Sequence, residues 1–257
     1  MKNNNHIIKN NYVLICIIII LITMIIVKND NLKLQSYTFT NNTPHIINIR
    51  KSAHPIITII CGVHGNEYAP SIGCQQFINE NNFKKGNLFF IPRVNKEGLK
   101  TENRYLPSKS NFLFKYDINR KFGKDDNKLI NSITNIVDKS DFVLDFHEAY
   151  RFHVSDKGPY KSMGSTISST LNNDSIHIAK HLINDINSTI TDNNKKFIYL
   201  DDKKYNIPYS LGDYCNKKKI NYNLVEITGI NNAQPLELRV SQTIYLLNSL
   251  FIYFNLL

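Results

Sequence analysis

The chain has 257 residues, 42% of them hydrophobic and 11% aromatic, enough to bury one sizeable core and not so many as to require a second. Its net charge of +10 comes from lysines scattered among asparagines and isoleucines, the densest run being NKKKI at 216–220. A solvated basic surface is therefore expected, and a nucleic-acid partner is not. The four cysteines, Cys16, Cys61, Cys74 and Cys215, follow no spacing pattern, which argues against a disulfide framework and against a cysteine-based zinc site.

Residues 1–11 form a short polar N-terminus. The next stretch, 12–27 (YVLICIIIILITMIIV), is apolar on every face rather than along one stripe, which argues against the alternative of a buried core helix. As a helix it spans about 24 Å, short of a hydrocarbon core of about 30 Å unless Lys9 and Lys28 snorkel toward the headgroups. No small-x-small cleavage site follows in KNDNLKLQSY, so the run reads as an uncleaved transmembrane signal anchor, with a cleaved signal peptide the alternative. Lys2 and Lys9 before it nearly balance Lys28 and Lys33 after it. The expectation is a single-pass membrane protein with the remainder of the chain on the lumenal or extracellular side, a polar stalk over 28–44 and one folded domain over 45–257.

Within that domain HIINIR and PIITIIC read as the first strands, and NLFFIP, DFVLDFH, KFIYL and YNLVEIT as later ones. Several lack polar alternation, as strands buried on both faces do. Helical spacing recurs over 68–80, 127–138, 176–190, 211–218 and 236–254. Strands alternating with helices predict a three-layer α/β/α sandwich on a mixed, largely parallel sheet, with ligands at the carboxyl ends of strands.

Three fragments place ionisable groups at those ends. In GVHGNEYAP, His64 and Glu67 follow the strand PIITIIC; glycines at 62 and 65 allow a tight turn, and Pro70 suits the first turn of a helix. Alone, H-x-x-E is common by chance and reads first as a capping or loop turn. DFVLDFHEAY ends a strand on His147, with Asp145 on the same face. A catalytic zinc takes three such donors and keeps a position open, so His64, Glu67 and His147 form a candidate ligand set. In NLVEITG, Glu226 lies in an apolar strand, where burial raises a carboxyl toward the range of a general base; a salt bridge to Arg239 is the structural alternative. Between these fragments lie Arg104 (ENR) and Asp117-Ile118-Asn119-Arg120 (DINR). Two arginines near a metal cleft suit one group polarising a carbonyl and one clamping a carboxylate, or, more simply, surface ion pairs.

The order H-x-x-E, N-x-x-G with ENR, DINR, a strand-ending His and a late-strand Glu resembles the zinc carboxypeptidase superfamily, including its succinylglutamate desuccinylase/aspartoacylase deacylase branch. The resemblance runs from about Ile56 onward. It implies an α/β/α sandwich on a mixed eight-stranded sheet and one zinc ion held by His64, Glu67 and His147. Glu226 is implied as the general base, and Arg104 as the group that stabilises the developing oxyanion. It further implies Asn119 and Arg120 as the grip on a terminal carboxylate, and Asp117 as the acceptor that orients His64. Lys96 stands where the family usually has proline, and Tyr209, Tyr214 and Tyr222 are all candidates for a substrate-covering tyrosine. Aspartoacylase-type enzymes carry a further capping domain beyond the late Glu, for which this sequence leaves no room, so an open cleft is expected. The implied activity is membrane-anchored, zinc-dependent hydrolysis of an amide next to a free carboxylate. The substrate is either a peptide, as for carboxypeptidases, or an N-acyl amino acid, as for the deacylases; a catalytically silent binding protein is the alternative from another class.

Overall fold

The computed structural model describes residues 43–106, 116–124, 127–201 and 207–257. Residues Asn41–Leu257 make one compact unit. The expected anchor over 12–27, and residues 28–42 of the expected stalk, lie outside the described residues. Among the described residues no helix is long and apolar enough to cross a membrane.

Seven strands in chain order form one sheet: β1 (His45–Arg50), β2 (Ile56–Cys61), β3 (Asn87–Arg93), β4 (Phe142–Ala149), β5 (Thr166–Ser169), β6 (Ile198–Leu200) and β7 (Tyr222–Thr228). Their spatial order is β1-β3-β2-β4-β7-β5-β6. The central strands β3, β2, β4 and β7 run parallel, β1 pairs antiparallel with β3, β5 antiparallel with β7, and β6 parallel with β5. The sheet is therefore mixed, as expected. Among the described residues it has seven strands, where the resemblance implied eight.

Helices cover both faces. On one lie α1 (Ala69–Glu80), α4 (Asn173–Ser188) and α6 (Leu236–Tyr253); on the other lie α3 (Lys128–Val137) and α5 (Leu211–Lys218), while the short α2 (Lys96–Thr101) follows β3. The two cores sort the strand residues by parity, because successive side chains of a strand point to opposite faces. Ile57, Ile59 and Cys61 of β2, Phe142, Leu144 and Phe146 of β4, and Val225 and Ile227 of β7 pack under α1, α4 and α6. Ile60, Val143 and Tyr222 face the other way, toward Ile130 and Ile133 of α3 and Leu211 and Cys215 of α5. Period two then carries Asp145 and His147 of β4, and Glu226 of β7, to the α3/α5 side at the carboxyl ends of their strands.

Most helix limits lie within a residue of the sequence reading, because local caps set them. Asn127 accepts from the backbone N–H of Leu129 and Ile130 at the start of α3, and Ser210 accepts from Asp213 N–H at the start of α5. The start of α4 lies three residues earlier than the apolar spacing suggested, since its polar first turn is capped by Asn172.

Candidate metal centre and cleft

The β2–α1 turn carries the first two candidate ligands. Gly62 has φ +67°, a left-handed conformation that favours glycine. Gly65 packs directly on the backbone of Gly98 and Asn103, so that any side chain there would collide. Asn95 completes the support by accepting from Gly98 N–H at 2.9 Å, which accounts for the N-x-x-G pattern: it shapes the ledge on which the metal turn rests.

On that turn His64 Nδ1 lies 2.8 Å from Glu67 Oε1, and His147 Nδ1 lies 2.8 Å from Glu67 Oε2 and 3.1 Å from His64 Nδ1. One donor atom from each of His64, Glu67 and His147 lies within 4.8 Å of the others, and all three residues are buried. The far nitrogen of each ring is held by a carboxylate: His64 Nε2 by Asp117 Oδ1 at 3.0 Å, His147 Nε2 by Asp145 Oδ2 at 3.3 Å. This is the arrangement in which an imidazole presents its other nitrogen to a metal. Two nitrogens bound to one tetrahedral ion at about 2.0–2.1 Å are about 3.3 Å apart, close to the spacing seen between the two Nδ1 atoms. The donor set thus fits a divalent metal.

Electrostatics follow from the same contacts. Burial pushes Glu67 up, but His64 and His147 outweigh it and hold the carboxyl well below the usual range. Asp117 behaves alike, with burial opposed by His64, Arg104 and Arg120. Burial lowers His147, but Asp145 and Glu67 lift it well above the ordinary imidazole value.

Glu226 stands beside His147, its Cα partner in the β4–β7 register. It is half-buried and lines the cleft. Burial, only partly opposed by His147, pushes its carboxyl up to about 7. Arg239 is not its partner. That arginine pairs with Glu148 at 2.7 Å, because Glu148 follows His147 by one residue and points to the other face of the sheet.

The cleft has a volume of about 560 Å³ and is lined by Arg104, Asn119, Arg120 and Glu226 as well as the three candidate ligands. Arg104 reaches Glu67 Oε1 at 3.1 Å and Asp117 Oδ2 at 3.2 Å, with its side chain 31% exposed on the cleft side. Asn119 Oδ1 accepts from Leu211 N–H at 2.9 Å and so ties the DINR turn to α5, while Arg120 donates to the Asn119 carbonyl at 2.6 Å. Of the tyrosines, Tyr214 turns away to Asp138 (2.6 Å), Tyr222 is buried beneath the site with its hydroxyl on Asp145 (2.9 Å), and Tyr209 is partly exposed between the ammonium groups of Lys124 and Lys217. The sequence marks Asp145 and Glu148 only as polar neighbours of His147, without a role for either. The signal for Asp145 was its position two residues before a strand histidine.

Comparison with known proteins adds to this geometry. Residues 53–153 match the model of the succinylglutamate desuccinylase/aspartoacylase catalytic domain. No curated protein matches the sequence. Among solved structures, the cell shape determinant protein Csd4 of Helicobacter pylori superposes with a TM-score of 0.71 at 17% identity, over 84% of this chain and 55% of Csd4. A candidate metallopeptidase of Shewanella denitrificans superposes with 0.62 at 17% identity, over 82% and 79%. Thrombin activatable fibrinolysis inhibitor does so with 0.62 at 11% identity, over 82% and 65%. The chain thus spans about half the length of Csd4. The chain is built on the zinc carboxypeptidase-like fold, and over residues 53–153 it is similar to the succinylglutamate desuccinylase/aspartoacylase catalytic domain.

Proposed function

We propose that the chain is a zinc-dependent hydrolase that cleaves an amide bond next to a free carboxylate, acting on peptides as a carboxypeptidase does. The observation that carries this reading is the convergence of His64, Glu67 and His147 within 4.8 Å, with Glu226 in register beside His147 on the same cleft wall. When bound, zinc supplies Lewis acidity and renders a water acidic near neutral pH. His64, Glu67 and His147 hold the ion, and Asp117 and Asp145 fix the two rings. Glu226 takes the proton of the attacking water and delivers it to the leaving amine, a role suited to a carboxyl lifted to about 7. Arg104 faces the growing negative charge on the scissile carbonyl oxygen, and Asn119 with Arg120 receives the substrate carboxylate.

The peptide substrate is favoured by the cleft and by the likeness to Csd4, a D,L-carboxypeptidase whose structures include a tripeptide-bound form. The deacylase pattern over 53–153 supports a second reading, removal of an acyl group from an N-acyl amino acid. A catalytically silent binding protein is disfavoured by the intact donor set and base. The proposal extends to the membrane: residues 12–27 anchor the chain, with the hydrolase on the lumenal or extracellular side.

The test is zinc content and product analysis of the purified full chain. It is incubated with a panel of peptides and N-acyl amino acids, and products are read by mass spectrometry. Release of C-terminal residues supports the peptidase, release of free amino acid from acyl substrates alone supports the deacylase, and turnover of neither with zinc bound overturns both.

A further inference from the structure

Glu148 is absent from the implied ligand set, yet it grips the metal turn at both ends. Its backbone N–H donates to Glu67 Oε2 at 3.1 Å, and its own Oε2 accepts from the backbone N–H of Ala69 at 3.0 Å. Its other oxygen, Oε1, accepts from Arg239 Nη1 at 2.7 Å. The pair is sealed from water, with side-chain exposures of 2% for Arg239 and 0% for Glu148. Arg239 descends from α6, lies 5.3 Å from the centre of the Tyr68 ring, and donates weakly to Asn232 Oδ1. Gly229 leaves room for this contact, because a Cβ there would collide with Glu148 Oε1.

A bare capping role does not explain this arrangement. Tyr68 at the N-cap of α1 offers no side-chain cap, and a neutral acceptor would satisfy Ala69 N–H without burying two charges. A buried ion pair adds little net stability, because desolvation offsets the attraction. What it does confer is fixed geometry, and here the fixed object is Glu67 relative to His147.

We propose that Glu148, clamped by Arg239, is a positioning residue for the metal centre. It ties the Glu67–Ala69 segment to the strand that carries His147, so that the carboxylate and imidazole donors keep their spacing. The inference rests on reading His64, Glu67 and His147 as a metal centre.

The test is Zn2+ affinity of the full chain, measured by competition with a chromophoric chelator, together with the absorption spectrum of the Co2+ form. Glu148→Ala is expected to weaken Zn2+ binding by about 10–100-fold, the usual cost of losing a group that orients a ligand, and to alter the Co2+ spectrum. Glu148→Gln retains an acceptor for Ala69 N–H and should recover part of the loss. Arg239→Lys keeps the charge but not the fixed fork, and should weaken binding by about 3–10-fold; it carries the test if Glu148→Ala does not fold. Leu250→Ala, a core change elsewhere in α6, should lower the unfolding temperature while leaving Zn2+ affinity in place.

Folded Glu148→Ala or Arg239→Lys with wild-type Zn2+ affinity overturns the inference. So does a loss of affinity in Leu250→Ala as large as in Glu148→Ala, since the effect would then be general destabilisation. A wild type that takes up no Zn2+ overturns the metal-centre reading itself, and this inference with it.

Discussion

The two faces of the central strands have different work. Toward α1, α4 and α6 they present mainly apolar side chains, Asn223 and Glu148 apart, and Phe77, Phe83, Phe90 and Phe251 interlock there with ring centres 4.9–6.4 Å apart. Toward α3 and α5 the same strands begin apolar and end in Asp145, His147 and Glu226. Along β4 the two kinds of residue alternate one by one, so a single strand supplies packing to one side and chemistry to the other. Glu148 marks the crossing point, a charged group on the packing face that reaches the turn of the chemical one. The lesson is that function here rests on strand parity. A substitution on one face should change stability with little change in chemistry per folded molecule, and on the other face the reverse.

The largest effect that would sharpen this contrast is Glu226→Gln. It removes the proposed base without changing shape, so kcat should fall about 10²–10⁴-fold, with zinc content and unfolding temperature near wild type. Steady-state kinetics beside metal analysis would show it, and near-normal turnover would break the contrast as well as the mechanism. On the opposite face Phe251→Ala should cost about 3–5 kcal/mol in denaturant unfolding, because Phe251 is fully buried among three other rings. Its kcat per folded molecule should hold. A kcat loss as large as that of Glu226→Gln would mean that the two faces are not separable.

How much of this was legible beforehand divides along the same physical line. β2, β4 and β7 could be read because long β-branched and aromatic runs signal buried strands, and the parity of His147 and Asp145 followed at once. β5 could not: Thr166–Ser169 is four residues long and mostly polar, yet wholly buried, because its hydroxyls find partners such as Met163 O and Tyr199 OH. α2 was missed for a similar reason, since the six residues of KEGLKT are too few to show an apolar stripe. The ligand set was readable as motifs, and the resemblance implied Asp117 as the support of His64, while the supports from Asp145 and Glu148 were not readable. The bond from Arg239 to Glu148 joins residues 91 positions apart, and no local pattern announces it. The sequence allows Arg239 as a partner for Glu226, and only the parity of β4 shows why it meets Glu148 instead.

A middle-sized effect tests whether those long-range supports matter to the metal. Asp117→Asn keeps the turn but weakens the acceptor for His64 Nε2, and Zn2+ affinity should fall about 10–100-fold. Competition against a chelator would measure it. Affinity equal to wild type would make Asp117 a structural turn residue, held there by Asn119 N–H and Arg104.

The smallest effect is the most discriminating, because Tyr222 belongs to both roles at once. Its ring packs with the α3/α5 core, and its hydroxyl donates to Asp145 Oδ2 at 2.9 Å, the same oxygen that holds His147 Nε2. Tyr222→Phe keeps the ring and deletes one hydrogen bond, so stability should fall by about 0.5–1.5 kcal/mol. If parity alone divides packing from chemistry, nothing further should change. If the chain Tyr222–Asp145–His147 sets the imidazole, the loss appears in Zn2+ affinity as well, by a few-fold at most, since His147 retains its bond to Asp145. Measuring unfolding in the metal-free form and zinc affinity in the same variant separates the two outcomes. A fall in stability with unchanged affinity would confine the metal centre's support to the carboxylates that touch its ligands directly.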